Sequence, residues 1–173
     1  MPASPASVSR SPPAATASRD VTGGELGGAL KNVIAIAAGV VQGLGLGHNA
    51  LAALITRGLA EISRLAVAAG GERDTLAGLA GMGDLVLTCT GQLSRNRHVG
   101  LELARGRTLA EIVAGMKMVA EGVNTTHAAL AFGRRLGVEL PIAAQVEGLL
   151  DGRVAPAAAV ADLMGRRQRA ETE

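Results

Sequence analysis

Polar and apolar positions are unevenly distributed along this chain, and the longest apolar block runs over Glu25 to Val41, ELGGALKNVIAIAAGVV. After its first residue only the adjacent pair Lys31 and Asn32 interrupts it. At about 3.6 residues per turn its apolar side chains fall on every face, so the segment reads as a core helix rather than an amphipathic surface one. Lys31 is either drawn into that core or reaches the surface along its four-carbon stem, and spacing supports both placements equally. A lysine removed from water has its charged form destabilised unless a carboxylate offsets the loss, which is one way to make a proton donor and acceptor.

A glycine-dense turn, Gln42 to Asn49, follows the block and leads into a second helical pattern over Ala50 to Ala69. Asn49 is placed as its N-cap and Gly70-Gly71 as its left-handed stop. Asp74 is placed to cap a short helix over TLAGLA. Residues 85–90, LVLTCT, are β-prone by type but have no partner strand within reach, which leaves helix or irregular structure open. Ser94 caps a helix from Arg95 to about Arg105, and Thr108 with Glu111 forms a capping box that opens the next, up to about Met116. Asn124 or Thr125 opens another, ended at Gly137, with Arg134 and Arg135 set favourably against its C-terminal dipole. Pro141 and Pro156 fit the first turns of two final helices, reaching Leu150 and about Arg167.

The pattern therefore predicts seven or eight helices and no convincing sheet: an all-α, single multi-helix domain over 21–168. Residues 1–20 are rich in Pro, Ala and Ser and bury too little to offset their ordering entropy, so they read as a disordered leader. Residues 169–173 read as a flexible tail.

Composition sharpens this picture. Nearly half of the 173 residues are apolar, yet Phe132 is the one aromatic, so the core has to be built from Ala, Leu, Val and Ile in close-packed helices. A net charge of +2 is too small to imply a nucleic-acid partner, and the lack of stacking rings argues against a single-strand binder. Cys89 stands alone, which excludes an intramolecular disulfide, and no Cys and His cluster has metal-ligand spacing, so the cytoplasm is the natural compartment and no metal is expected. Lys31, Asn32 and Gln42 interrupt the best candidate for a membrane span, so none is expected; the N-terminus lacks the apolar region of a secretory signal.

Gly45, Gly47 and Ala50 match the outline GxGxxG/A of a dinucleotide-binding turn, but no strand ending in an acidic residue follows, so the turn reads as structural. Three polar places carry more. They are Lys31-Asn32; Asp84, set among glycines with Thr88 one turn on if that segment is helical; and Ser94-Arg95-Asn96-Arg97 at a helix N-terminus, where free N–H groups favour an anion. Together they point to a phosphate-bearing substrate beside a tuned lysine, although Ser94 to Arg97 also reads as an ordinary capped surface helix.

Taken in order, Gly-Ala-Leu-Lys31-Asn32-Val, Gly-Leu-Gly-x-Asn49, Ala-x-Ile-Thr-Arg57-Gly-Leu-x-Glu61, Gly-Leu-Ala-Gly-Met-Gly-Asp84-Leu-Val-Leu-Thr88-Cys-Thr, Ser94-Arg95-Asn96-Arg97 and Glu121-Gly-Val resemble the bacterial NAD(P)-dependent glycerol-3-phosphate dehydrogenases. The match covers about Asp20 to the end, and several ordered motifs are far more specific than one. The resemblance implies an all-α substrate domain, of the kind also found in 6-phosphogluconate dehydrogenases, that normally follows an N-terminal Rossmann domain absent here. It implies interconversion of dihydroxyacetone phosphate and sn-glycerol 3-phosphate with NAD or NADP, in glycerophospholipid biosynthesis. By the same resemblance Lys31 is the catalytic acid and base, held by Asp84 with Thr88 nearby. Ser94, Arg95 and Asn96 grip the substrate phosphate, and Arg95, Val119 and Glu121 contact the cofactor. Gln42 and His48 stand where the family usually has aspartates, and Glu147-Gly148 replaces an aromatic-containing stretch.

On this reading the chain is half an enzyme. A Rossmann-domain partner chain would complete it, and the face left uncovered would favour self-association. The other class of function is a truncated, catalytically inactive helical association module.

Overall fold

The computed structural model describes residues 20–116 and 118–165; the expected tail and residues 1–19 of the expected leader lie outside the described residues. Nine α-helices and one π-helical turn are present among them, with no strand: α1 (Val21–Gly43), α2 (Gly47–Ala68), α3 (Arg73–Ala77), the π-turn (Leu79–Gly83), α4 (Asp84–Thr90), α5 (Arg95–Ala104), α6 (Leu109–Ala114), α7 (Glu121–Leu136), α8 (Pro141–Leu150) and α9 (Pro156–Gly165). The all-α fold expected from the periodicity is the fold observed.

Helix α1 is the axis. Every residue from Val33 to Val41 is buried, and the helix packs against α2, α4, α5, α7 and α8. Its most apolar 18-residue window has a mean hydropathy of 1.3, so by length and composition it is long and apolar enough to cross a membrane, contrary to what the interruptions at Lys31, Asn32 and Gln42 implied. However, 67% of that window is buried among this chain's own helices, which makes it a core helix.

A core with so few large side chains closes by bringing backbones together. Where α5 crosses α1, a Cβ on Gly100 would lie 1.8 Å from the Ile36 carbonyl oxygen, and one on Gly39 would lie 2.0 Å from that of Arg97. Both positions must be glycine for the crossing to exist, and burial of the flanking Ile36, Val40 and Val99 supplies its apolar stabilisation.

Side-chain caps open three of the described helices, α1, α5 and α6. Asp20, the last residue of the expected leader, starts α1 by accepting from the Gly23 amide at 2.8 Å, and its other oxygen accepts from the Glu72 amide at 2.7 Å. Ser94 accepts from the Arg97 amide, Thr108 and Glu111 form the capping box, and Gly137 ends α7 with φ 67°, all as the residue types predict. Gly45 and Gly47 take left-handed φ values of 67° and 81° between two helices, which is the structural role expected of that turn.

Three starts differ from expectation. Helix α2 begins at Gly47, so Asn49 lies inside its first turn; α3 begins at Arg73, so Asp74 is a first-turn acid; and α7 begins at Glu121, ahead of Asn124 and Thr125. In each case a non-capping residue precedes the helix, because packing onto α1 extends it beyond its best local cap. Helix α8 goes further: Leu140 has no capping oxygen and Pro141 no N–H. Instead Glu61 of α2, 1% exposed, accepts from the amides of Ile142 at 2.9 Å and Ala143 at 3.0 Å. A carboxylate at the positive end of a helix dipole is well placed electrostatically.

Candidate functional site

The chain carries its candidate chemistry on α1, on α4, and on the starts of α5 and α7. Lys31 and Asn32 lie on α1 just before the fully buried stretch, and both are half-buried. The Lys31 side chain keeps 23% of its surface exposed and its ammonium donates to Oδ2 of Asp84. It therefore neither sinks into the core nor escapes to solvent: a carboxylate meets it at the boundary.

Asp84 is held there by the π-turn before it. A Cβ on Gly81 would fall 2.1 Å from the Leu76 carbonyl oxygen, so this tight path requires glycine. The segment after it is helical, which settles the alternatives left open for 85–90, and the helix brings Thr88 back over Asp84. The Thr88 hydroxyl donates to the Asp84 carbonyl at 2.7 Å and lies 3.4 Å from Asp84 Oδ1. Lys31, Asp84 and Thr88 thus form one connected group.

The second group centres on Asn96, only 8% exposed in the first turn of α5. Its Nδ2 donates to Oδ1 of Asn32 at 2.9 Å, and its Oδ1 accepts from the Gly122 amide at 2.9 Å. Arg95, one residue earlier, is exposed and donates through Nη1 to the Val119 carbonyl at 3.2 Å. Ser94 is occupied as the α5 cap, and its hydroxyl proton is left to donate. Val119, 62% exposed, and Glu121, the first residue of α7, stand at the edge of this group.

Arg97 supports the segment from below. Its Nε donates to the Gly91 carbonyl at 3.0 Å and its guanidinium to Oε1 of Gln42, tying the 91–94 loop to the end of α1. Gln42, which stands where the family usually has an aspartate, is therefore a direct partner of Arg97. Asn32 and Gly122 were legible as members of motifs but received no role, since their bonds join positions 64 and 26 residues apart. Cys89, on α4, is buried and its thiol is pushed up to about 12 by that burial, which removes it as a nucleophile. Among the described residues no group of three His, Cys, Asp or Glu is arranged to hold a metal ion.

Fold and site define an all-α domain that presents a carboxylate-held lysine beside a cluster of side-chain donors at the start of α5. The family model described as NAD-dependent glycerol-3-phosphate dehydrogenase C-terminus matches residues 20–161, and the chain belongs to this family. It is 65% identical over 153 residues to a glycerol-3-phosphate dehydrogenase [NAD(P)+] of Acidobacterium capsulatum, covering 88% of this chain and 45% of that protein. It is 62% identical over 154 residues to the protein of the same name from Koribacter versatilis, covering 88% and 46%. The crystal structure of glycerol-3-phosphate dehydrogenase from Coxiella burnetii superposes with a TM-score of 0.83 at 45% identity, covering 86% of this chain and 46% of that one. The chain spans a little under half the length of these relatives.

Proposed function

We propose that this chain is the substrate-binding and catalytic half of an sn-glycerol-3-phosphate dehydrogenase, interconverting dihydroxyacetone phosphate and sn-glycerol 3-phosphate in glycerophospholipid synthesis in the cytoplasm. The observation that carries the reading is the Lys31–Asp84 pair at the edge of the core, with the donors Arg95 and Asn96 on a second helix. NAD or NADP, when bound, supplies or accepts the hydride at the substrate's C2. As negative charge grows on the carbonyl oxygen, the Lys31 ammonium gives it a proton; in the reverse direction the amine takes the hydroxyl proton back. Asp84 orients the ammonium and balances its charge. Arg95 and Asn96 hold the phosphate with N–H donors, the guanidinium through its planar fork.

The edge formed by Val119, Glu121 and Arg95 suits the nicotinamide end of the cofactor: exposed apolar surface for a ring and a guanidinium for phosphate oxygens. Leu79 of the π-turn, Leu87 of α4 and Leu93 of the loop before α5 are 81%, 69% and 97% exposed. Exposed apolar side chains on the elements that carry Asp84 and Ser94 fit a Rossmann-type partner domain, or self-association where none is supplied.

The test is NADH oxidation driven by dihydroxyacetone phosphate, with the chain alone and with the N-terminal half of the Acidobacterium capsulatum relative supplied. The expected result is turnover in the complex that Lys31→Ala abolishes without changing the circular dichroism spectrum. A folded complex that forms and does not turn over would assign the chain to the helical association class instead.

A further inference from the structure

Two carboxamides and two backbone groups form a directed chain across three helices. At one end the Asn32 Nδ2 donates to the Gly28 carbonyl at 3.4 Å, a long bond one turn back on α1. Asn32 Oδ1 then accepts from Asn96 Nδ2 at 2.9 Å, and Asn96 Oδ1 accepts from the Gly122 amide at 2.9 Å. A carboxamide alone can turn over by half a rotation and exchange its oxygen for its nitrogen. These two cannot, because both ends of the chain are backbone groups of fixed polarity. A flipped Asn96 would set its NH2 against the Gly122 N–H and its oxygen against the Asn32 oxygen, two repulsive contacts in a site that is 8% exposed.

The close approach of α7 is part of the same device. A Cβ at residue 122 would lie 2.7 Å from the Asn32 carbonyl oxygen and 2.8 Å from Asn96 Oδ1, so the amide reaches Asn96 only because Gly122 is a glycine. The Asn96 oxygen is consumed by that amide and one of its N–H groups by Asn32. What remains is a single N–H donor, together with one lone pair on an oxygen already turned to the Gly122 amide.

We infer that Asn32 is a positioning residue, which with Gly122 locks the Asn96 carboxamide so that its remaining N–H, and not its oxygen, is turned to the anionic group of the substrate. The inference rests on the reading of Asn96 as a phosphate ligand. It assigns to Asn32 a part distinct from that of Lys31 beside it: Lys31 serves the reacting carbonyl end, and Asn32 serves the phosphate end through Asn96. One turn of α1 thereby sets both ends of the substrate.

The experiment is an NMR titration of the isotopically labelled 173-residue chain with sn-glycerol 3-phosphate, with glycerol as the phosphate-free control, following the two Asn96 side-chain amide protons. In the unsubstituted chain one proton is expected to stay in place, bonded to Asn32, while the other moves with sn-glycerol 3-phosphate and not with glycerol. In Asn32→Ala the affinity is expected to fall about tenfold with the helical circular dichroism spectrum retained, the factor for loss of orientation in one bond to a charged group. Movement of both Asn96 protons, or of neither while other site resonances respond, overturns the inference even if Asn32→Ala fails to fold. So does a folded Asn32→Ala that binds as tightly as the parent. If the parent chain shows no response to sn-glycerol 3-phosphate at any site residue, the phosphate-ligand reading falls and takes the inference with it, a pattern distinct from the other two.

Discussion

The Lys31 ammonium and the Asp84 carboxylate, 53 positions apart in the chain, form an ion pair whose side chains keep 23% and 35% of their surface exposed. A pair this open to water contributes little to folding, since screening and side-chain ordering offset most of its attraction. Under the proposed function its geometry serves the chemistry instead. Asp84→Asn is expected to change unfolding free energy by less than about 1 kcal/mol. In the complex with a cofactor domain it is expected to lower turnover by about a hundredfold, within the usual range for a disturbed acid–base group. Denaturant melts and NADH oxidation on the same preparation check both, and a loss of several kcal/mol in the melt would make the pair structural.

The α1–α5 crossing predicts opposite outcomes for two glycine substitutions. Gly100→Ala drives a methyl into the Ile36 carbonyl, 1.8 Å away, and is expected to destabilise the fold by about 3 kcal/mol or to prevent it. Gly24→Ala, also helical, meets nothing within 4 Å and is expected to stabilise by up to about 1 kcal/mol through helix propensity. Urea unfolding of the two variants beside the parent decides the matter.

Glu61 bears on stability. Its carboxylate, 1% exposed, accepts two backbone amides at the start of α8. Glu61→Gln replaces one of those acceptors with a donor, so a buried amide loses its partner. The expected loss is about 3 kcal/mol, with α8 the first helix to lose amide protection in hydrogen exchange.

The Asp20 bridge predicts a pH dependence. The amides of Gly23 and then Glu72 bond its carboxylate and hold its pKa below the ordinary 3.8. A carboxylate depressed in the folded state stabilises fully above its unfolded pKa, and the contribution disappears as pH falls through the folded value. Asp20→Ala is therefore expected to lower the melting temperature most near neutral pH, with the gap to the parent narrowing below about pH 4. Glu102, held low chiefly by Arg107 and also by Arg105, and Glu111, held low by Thr108, are lost in the same direction. A gap that stays constant from pH 7 to strongly acid conditions would show that Asp20 acts without its charge.

Much of this fold was legible because its signals are local. The Ser94 cap, the Thr108–Glu111 box, the Gly137 stop and the first-turn prolines each act within a few residues, so residue type and spacing determine them. The all-round apolar character of α1 likewise announced a core helix, and the ordered motifs identified the family before any contact was known. Misplaced starts at Asn49, Asp74 and Asn124 show the limit of that logic, since packing onto α1 overrode the best local cap.

What the sequence by itself determined, then, is the helical content, the family and the residue types available for chemistry: one lysine in an apolar block, an acid among glycines and a basic helix start. Tertiary structure alone decided which of them meet. Residues 85–90 have β-prone side chains, and only their place after the π-turn and against α1 made them the helix that lifts Asp84 to Lys31. Glu61 reaches a helix 81 positions away, and Asn32 meets Asn96 across 64. The second pairing depends on how closely the backbones of α1, α5 and α7 approach, set by Gly39, Gly100 and Gly122, and a distance between helices is a property of their packing rather than of any local pattern.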